Sequence, residues 1–441
     1  MRFTTRTAAL GALLALASTS ACKATQQSAV FGEGGGGTNA TGAGTGGTAT
    51  GAGGGVGGDI GPIGTGGGGN GSTGVVCNAG DNEDRDKDGF TKLQGDCNDC
   101  DPNVNPNAVE VLAVPDENGV TPPPADEDCD GVIDNLPTSC DTGLAGDSID
   151  AMDAAKAVEL CPPTNPIATW GVKNAQWVRA DGNPNLPGGN QLNNFHLGHG
   201  IINGFGPNVN VQGGTSFLVL SSGTARTPGQ PGYKSPGGFD KGYTGAQPDT
   251  GFPKESPACP GAKTGEVHDD TAVELTIQTP ANAHGFAFMF NFFTYEWPGY
   301  ICSTFNDFFV AILKPNLPGF PDGNISFDAM GNAVSVNNGL LEVCGPPGTY
   351  GGKSFACPLG VAGLQGTGFE GTGGFLGDGD HGSTYWLATQ APTEPNTEIR
   401  IRWAVYDSGD GVLDSTTIID NWQWIATAGT QVGTGHVDIP K

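Results

Sequence analysis

The chain has 441 residues and a formal charge of −27 at pH 7, with 19 Lys and Arg against 46 Asp and Glu, and 76 of its residues are Gly. A charged fraction of 15% excludes a coiled coil, and 21 Phe, 7 Trp and 7 Tyr exclude a chain disordered throughout. The acidity argues against nucleic acid as a partner, since phosphates need a basic stripe, and favours cations.

Arg2 and Arg6 precede an apolar run from Ala8 to Ala17, followed by Ser18, Thr19, Ser20, Ala21 and Cys22. The run is shorter than the ~20 apolar residues that cross a bilayer and predicts an export signal over residues 1–21. The segment Thr19-Ser20-Ala21-Cys22 resembles a bacterial lipobox, with Thr where Leu is usual. The resemblance implies that Cys22 is diacylated and becomes the mature N-terminus; ordinary cleavage nearby is the alternative. Any membrane contact is expected through this lipid alone, placing the protein at the cell surface or outer membrane, or, without the lipid, in the medium. Setting Cys22 aside leaves 10 of 11 Cys. An even number in an exported chain predicts disulfides, and short loops point to Cys140–Cys161 and Cys344–Cys357.

Residues 22–76 follow as the lipidated terminus and a Gly- and Thr-rich linker. Such a composition supports no core and predicts a disordered, flexible tether with a coil size of roughly 35–40 Å.

Residues 77–140 form an Asp- and Cys-rich zone with few large apolar side chains, which cannot order itself without staples or metal. Asp84-Arg-Asp86-Lys-Asp88-Gly89 and Asp126-Glu-Asp128-Cys-Asp130-Gly131 are both D-x-D-x-D-G. Carboxylates at alternate positions can converge on one hard cation, and the Gly lets the backbone turn around it. Phe90 and Val132 would offer backbone carbonyls, and Asp134 falls at a ninth-position ligand. In the first ladder Lys92 takes that slot and Gly95 stands where an EF-hand has its bidentate Glu, so Asp96, with Asp99 and Asp101 nearby, is expected to complete the shell. The stretch from Asp84 through G-D-C-N-D-C-D-P-N-V-N-P-N-A-V-E to Asp134 resembles the MopE-type metal-binding repeat of bacterial surface proteins. Val111 and Leu112 stand where that family has a Cys, and residues 113–125 are an insertion. The resemblance implies a divalent-cation module. Copper wants His, Met or free thiolate, none of which the zone is expected to supply, so calcium is the expected ion. Zinc on Cys77, Cys97, Cys100 and Cys129 is a lesser option.

Residues 141–441 hold most of the aromatic side chains. Residues 147–161 predict a helix capped by Ser148, with Ile149, Met152, Ala155 and Val158 on one face. The period then changes to two. Strands are predicted at 216–222, 271–278, 285–297, 305–313, 325–328, 398–406 and 417–426, the sixth with Ile399, Ile401, Trp403 and Val405 buried and Arg400 and Arg402 in water. Gly- and Pro-rich stretches such as 227–260 are surface loops. The fold class is therefore mainly β, an antiparallel sandwich or jelly roll behind the small calcium-binding module.

The segments Trp170-Gly171-Val172, 220–226, 290–310, 406–415 and 419–422 resemble the choice-of-anchor L family of secreted or surface-tethered bacterial proteins. The resemblance covers most of residues 140–427 and implies a setting rather than an activity. Glu296, Asn306, Asp307, Asp407, Asp410, Asp414 and Asp420 fall at strand ends, where they either ligate a structural Ca²⁺ or bond local backbone. His196-Leu-Gly-His199 lacks an acid partner, and no G-x-S-x-G accompanies His268-Asp-Asp or Asp378-Gly-Asp-His381-Gly-Ser383. No catalytic set is expected. Trp297, Trp386, Trp422 and Trp424 form either a sugar-stacking platform or core. The reading is a lipid-anchored, calcium-stabilised surface protein with a structural or adhesive role and a surface glycan or protein as its outward ligand. A lectin-like glycan-binding module is the alternative, and a secreted hydrolase a weaker one.

Overall fold

A computed structural model describes residues 79–112, 123–371 and 381–437. The export signal, Cys22, the Gly-rich linker, Cys77, Asp378 and Asp380 lie outside the described residues.

Period-two apolar runs build the protein. One six-stranded antiparallel sheet contains β1 (Gly171–Val178), β4 (Thr244–Gly245), β5 (Val267–Gln278), β7 (Phe308–Lys314), β8 (Val334–Ser335) and β13 (Glu398–Ser408), in the order β1-β5-β13-β7-β8 with β4 on β5. A seven-stranded sheet contains β2 (His199–Ile202), β3 (Phe217–Ser221), β6 (Gly285–Thr294), β11 (Gly382–Ser383), β12 (Leu387–Pro392), β14 (Ser415–Ile425) and β15 (Gly433–His436), ordered β15-β12-β6-β14-β3-β2 with β11 on β6. A separate hairpin pairs β9 (Gly348–Tyr350) with β10 (Lys353–Phe355).

The sheets face each other across one core. Phe286, Phe288, Phe290 and Phe292 of β6 point into it, against Trp403 and Val405 of β13 and Phe309 of β7. Ring centroids lie 5.3 Å apart for Phe288 and Trp403 and 4.8 Å for Phe290 and Phe309. The alternate residues of β6, Met289 and Phe293, enter a second cluster with Phe205, Trp386 and Ile418. This strand is buried on both faces, which is why its sequence reads as an unbroken apolar run.

Three expectations need correction. The helix is only α1 (Ala151–Ala157), capped by Asp150, whose side chain accepts from Met152 N. Ile149 is exposed, and Ser148 bonds Asp153 instead of capping. The helix ends where Glu159 takes φ 67° and the chain turns into the Cys140–Cys161 disulfide. Within residues 325–328 only Phe327 makes an isolated bridge, to Ala333, and no strand forms, although Ile325 belongs to the core. Arg402 is buried rather than wet: its guanidinium meets Glu274 Oε2 at 3.2 Å and donates to Pro248 O at 2.7 Å. A second helix, α2 (Asn190–Leu197), precedes β2 and was not legible, because it carries only one buried apolar residue, Phe195.

The Asp-rich zone has one short 3₁₀ turn, Lys92–Gln94, and no strand among its described residues. Disulfides hold it: Cys97–Cys129 within it, Cys140–Cys161 at its end, and Cys100 in another. Cys344–Cys357 and Cys259–Cys302 staple loops of the β region. The zone is seated on the rim of the sheets. Asn282, in the β5–β6 turn, accepts from Val109 N at 2.9 Å and donates to Val109 O at 2.8 Å. Asn107 O accepts from Ala281 N at 2.8 Å, and Ala108 O accepts from Trp170 Nε1 at 3.1 Å.

Trp403 is fully buried between β6 and β14 partners. Trp403→Ala should lower unfolding free energy by about 3–5 kcal/mol, read from the urea midpoint. A change below 1 kcal/mol would contradict the shared core.

Candidate metal centre

The first Asp ladder folds as a turn around its own carboxylates. Asp84 accepts from Lys87 N at 2.7 Å through Oδ1 and from Gly89 N at 3.2 Å through Oδ2. Gly89 has φ 100°, and Gly131 repeats it with φ 92° in the second ladder, a conformation L side chains resist. Asp86, Asp88, Asp96 and Asp99 then share one pattern. Each uses Oδ1 to accept a backbone N–H, from Asp88 (3.3 Å), Phe90 (2.8 Å), Asn98 (2.8 Å) and Arg85 (2.8 Å) respectively. Each leaves Oδ2 buried with no donor. Asp99 is 0% and Asp96 4% exposed, so these oxygens have left water without gaining a partner. Asp84, Asp86 and Asp99 bring ligand atoms within 4.8 Å of one another, and so do Asp86, Asp88 and Asp96.

The second ladder is completed from a distance. Asp126 accepts from Asp130 N and Gly131 N, and Glu110 Oε1 accepts from Asp128 N at 3.1 Å. Glu110 Oε2, Asp134 Oδ1 and Asn135 Oδ1 are buried without donors. Glu110 groups with Asp126 and Asp128, and again with Glu127 and Asp134. Asp128 is fixed from outside: its Oδ2 accepts from the Thr164 hydroxyl, and its carbonyl accepts from Asn165 Nδ2 at 2.6 Å.

Of the expected ligands, Asp84, Asp86, Asp88, Asp96, Asp126, Asp128 and Asp134 lie in these clusters. Asp130 does not: its oxygens accept from Val132 N and Asn135 Nδ2, both at 2.8 Å. Phe90 is half-buried and gives its N–H to Asp88, while Val132 is exposed. Glu110 and Glu127, which join these clusters, were not among the expected ligands. Glu110 was visible only as the last residue of the N-P-N-A-V-E segment, far along the chain from the ladder it serves. The zinc option fails on Cys97, Cys100 and Cys129, which are all in disulfides.

Electrostatics agree with the geometry. Burial, reinforced by neighbouring carboxylates, pushes Asp96 up to about 6 and Glu110 up to about 7. Burial likewise raises Asp86, Asp88, Glu127 and Asp128. Among the described residues, no Lys, Arg or His side-chain nitrogen comes within 4.0 Å of any of these carboxylates. The clusters can therefore hold a metal ion through oxygen ligands alone.

The strand-end acids include unmatched oxygens too, both of Asp407 and both of Asp414, but form no such group. Glu296, Asp307, Asp407 and Asp414 are buried at one end of the sheets, yet no three of them bring ligand atoms within 4.8 Å. Asp307 Oδ2 accepts from Ser415 Oγ at 2.7 Å and Glu296 Oε2 from Asp307 N at 2.9 Å. Asp420 accepts three backbone N–H groups, from Gln212, Gly213 and Asn421, and so serves the local backbone. Asp410 is exposed. Buried Lys241 donates to Ser221 O at 2.9 Å and Thr271 Oγ1 at 2.7 Å, and burial lowers it to about 8 against the pull of Asp269, Asp414 and Asp407.

The catalytic candidates are occupied otherwise. His196 Nδ1 and His199 Nε2 lie 2.8 Å apart, with His199 buried and stacked on Trp177. Ser383 Oγ donates to Asn291 Oδ1, and His381 Nδ1 lies 2.9 Å from Tyr295 O. Trp297, Trp386 and Trp422 are core residues and Trp424 is half-buried against Trp170 and Trp422. An open groove of about 510 Å³ beside β4 is lined by Arg179, Gln191, Asp240, Tyr243 and His268. No family model, no curated protein and no solved structure matches the chain.

Burial pushes Glu296 up to about 8. The folded chain thus keeps a proton that the unfolded chain releases near its ordinary value of 4.5. This contribution to stability is full below about pH 4.5 and is lost as pH rises toward 8. At saturating calcium, the melting temperature of Glu296→Gln should fall less between pH 5 and 8 than that of the native chain. Parallel curves would contradict the assignment.

Proposed function

We propose that the chain is an exported, calcium-stabilised bacterial surface protein, tethered through a diacylated Cys22, with a structural or adhesive role and no catalysis. One observation carries the calcium reading: Asp86, Asp88, Asp96 and Asp99 each tie one oxygen to backbone and leave the other buried and unmatched. A cation at the cluster supplies what those oxygens lack. The donors are all oxygens, which suits a hard ion, and the neighbouring thiols are oxidised, which removes the soft ligands copper or zinc would prefer. Disulfides through both the Asp-rich zone and the β region support an oxidising, extracellular setting. Among the described residues no helix is long and apolar enough to cross a membrane.

The resemblance to surface-tethered families and the lipobox-like Thr19-Ser20-Ala21-Cys22 support the tether. The outward ligand is proposed to be a surface glycan or protein. A glycan-binding reading has one foothold, the polar groove beside β4.

The calcium reading is tested by calorimetric titration of the oxidised full chain with Ca²⁺. Saturable uptake is expected, with Asp99→Asn weakening it. Calcium at about a hundred times Kd should raise unfolding free energy by roughly 2.7 kcal/mol per site, reversed by chelator. The absence of uptake would reject the reading. The tether is tested by the mass of the mature N-terminal peptide, expected to carry a diacylglyceryl group on Cys22.

A further inference from the structure

We infer that each acidic loop holds two divalent cations bridged by one carboxylate, Asp86 in the first loop and Glu110 in the second, so that the chain binds four. This rests on the calcium reading above and goes beyond it in number and arrangement.

Geometry comes first. Ligands on one calcium lie 2.3–2.6 Å from it, so two ligands of the same ion are at most about 5 Å apart. The carboxylates of the first loop meet such a limit as two groups of three, Asp84-Asp86-Asp99 and Asp86-Asp88-Asp96, and not as one group of five. Asp86 is the shared member. The second loop repeats the arrangement with different residues. Glu110-Asp126-Asp128 and Glu110-Glu127-Asp134 are its two groups, and Glu110 is shared. The bridging role thus falls to an Asp inside one ladder and to a Glu brought from outside the other.

Unmatched oxygens give an independent sign on both sides of the first bridge, and in the second loop on the bridging Glu110 and on Asp134. In the first loop, buried Oδ2 atoms without donors occur on Asp99 in one group, on Asp88 and Asp96 in the other, and on Asp86. In the second loop the unmatched atoms are Glu110 Oε2 and Asp134 Oδ1, while Asp126 and Asp128 accept from backbone N–H groups and the Thr164 hydroxyl. Asp96, Asp99 and Glu110 are 4%, 0% and 5% exposed, so water does not serve these atoms freely.

Charge balance points the same way. Five carboxylates in each loop carry about five negative charges when ionised, and no Lys, Arg or His side-chain nitrogen lies within 4.0 Å of them among the described residues. One divalent ion leaves about three uncompensated charges at a partly buried site; two leave about one. Leaving three like charges together out of water is the costlier state.

Native mass spectrometry of the oxidised full chain, in a calcium series, counts the ions. Four are expected. Asp→Asn is the test substitution because its Oδ1 still accepts the backbone N–H while its Nδ2 replaces the free oxygen. Asp96→Asn and Asp99→Asn should each lose one ion, and the double variant two. Asp86→Asn should lose two by itself. Glu110→Gln should lose two, and Asp134→Asn one. A native count of two, with the Asp96→Asn/Asp99→Asn double variant losing the same single ion as either parent, would overturn the bridging while leaving calcium binding intact. A native count of zero would overturn the calcium reading itself. The double variant does not depend on Asp86, and the intact-disulfide mass of each variant certifies its fold.

Discussion

Carboxylate oxygens that have lost water without gaining a donor constrain this protein more than any other group. In the first acidic loop four aspartates have one oxygen satisfied by the backbone and one unmatched. The backbone bonds are what create the problem. By folding the ladder tightly around Asp84 and Gly89, they aim the remaining oxygens at one another. A segment with almost no regular secondary structure and few buried apolar side chains cannot offset that repulsion by core burial. Disulfides limit the unfolded ensemble, but they do not neutralise charge. A cation bound there, as proposed, would neutralise the charge and give the unmatched oxygens a partner.

The same constraint reaches the sheets. Glu110 lies at the end of residues 104–110, the stretch that seats the Asp-rich zone on the β5–β6 turn. Asp128 is held by Thr164 and Asn165, which lead into Trp170 and β1. The second acidic loop is therefore assembled from two separate chain segments and anchored on a third. Order in that loop and order at the rim of the sheets depend on one another through short, direct hydrogen bonds.

A different solution to buried acidity operates at the far strand ends. Glu296 and Asp307 sit beyond the core among serines and threonines, with Lys241 as the buried ammonium in the same region. There Glu296 and Asp307 accept from backbone and hydroxyl groups, and burial raises their proton affinity.

Local pattern was enough for the mainly β class, for most of the strands and for the two D-x-D-x-D-G turns, because alternation and a positive-φ Gly act within a few residues. Cys140–Cys161 and Cys344–Cys357 were readable for the same reason: each closes a short loop. What lay beyond the sequence depended on long-range geometry. Cys97–Cys129 and Cys259–Cys302 span 32 and 43 residues. Arg402 looked solvent-facing by alternation, and only the neighbouring strand and loop supply Glu274 and Pro248 O to bury it. Trp297, Trp386 and Trp422 could be read as platform or core, and packing in three separate clusters buries them. Glu110 joined the acidic clusters, and Asp130 stayed outside them, because tertiary packing carried the first carboxylate to the ladder and gave the second to Val132 and Asn135. Residue type and spacing determined that carboxylates would cluster; which oxygens remained unmatched was decided by where distant backbone N–H groups came to rest.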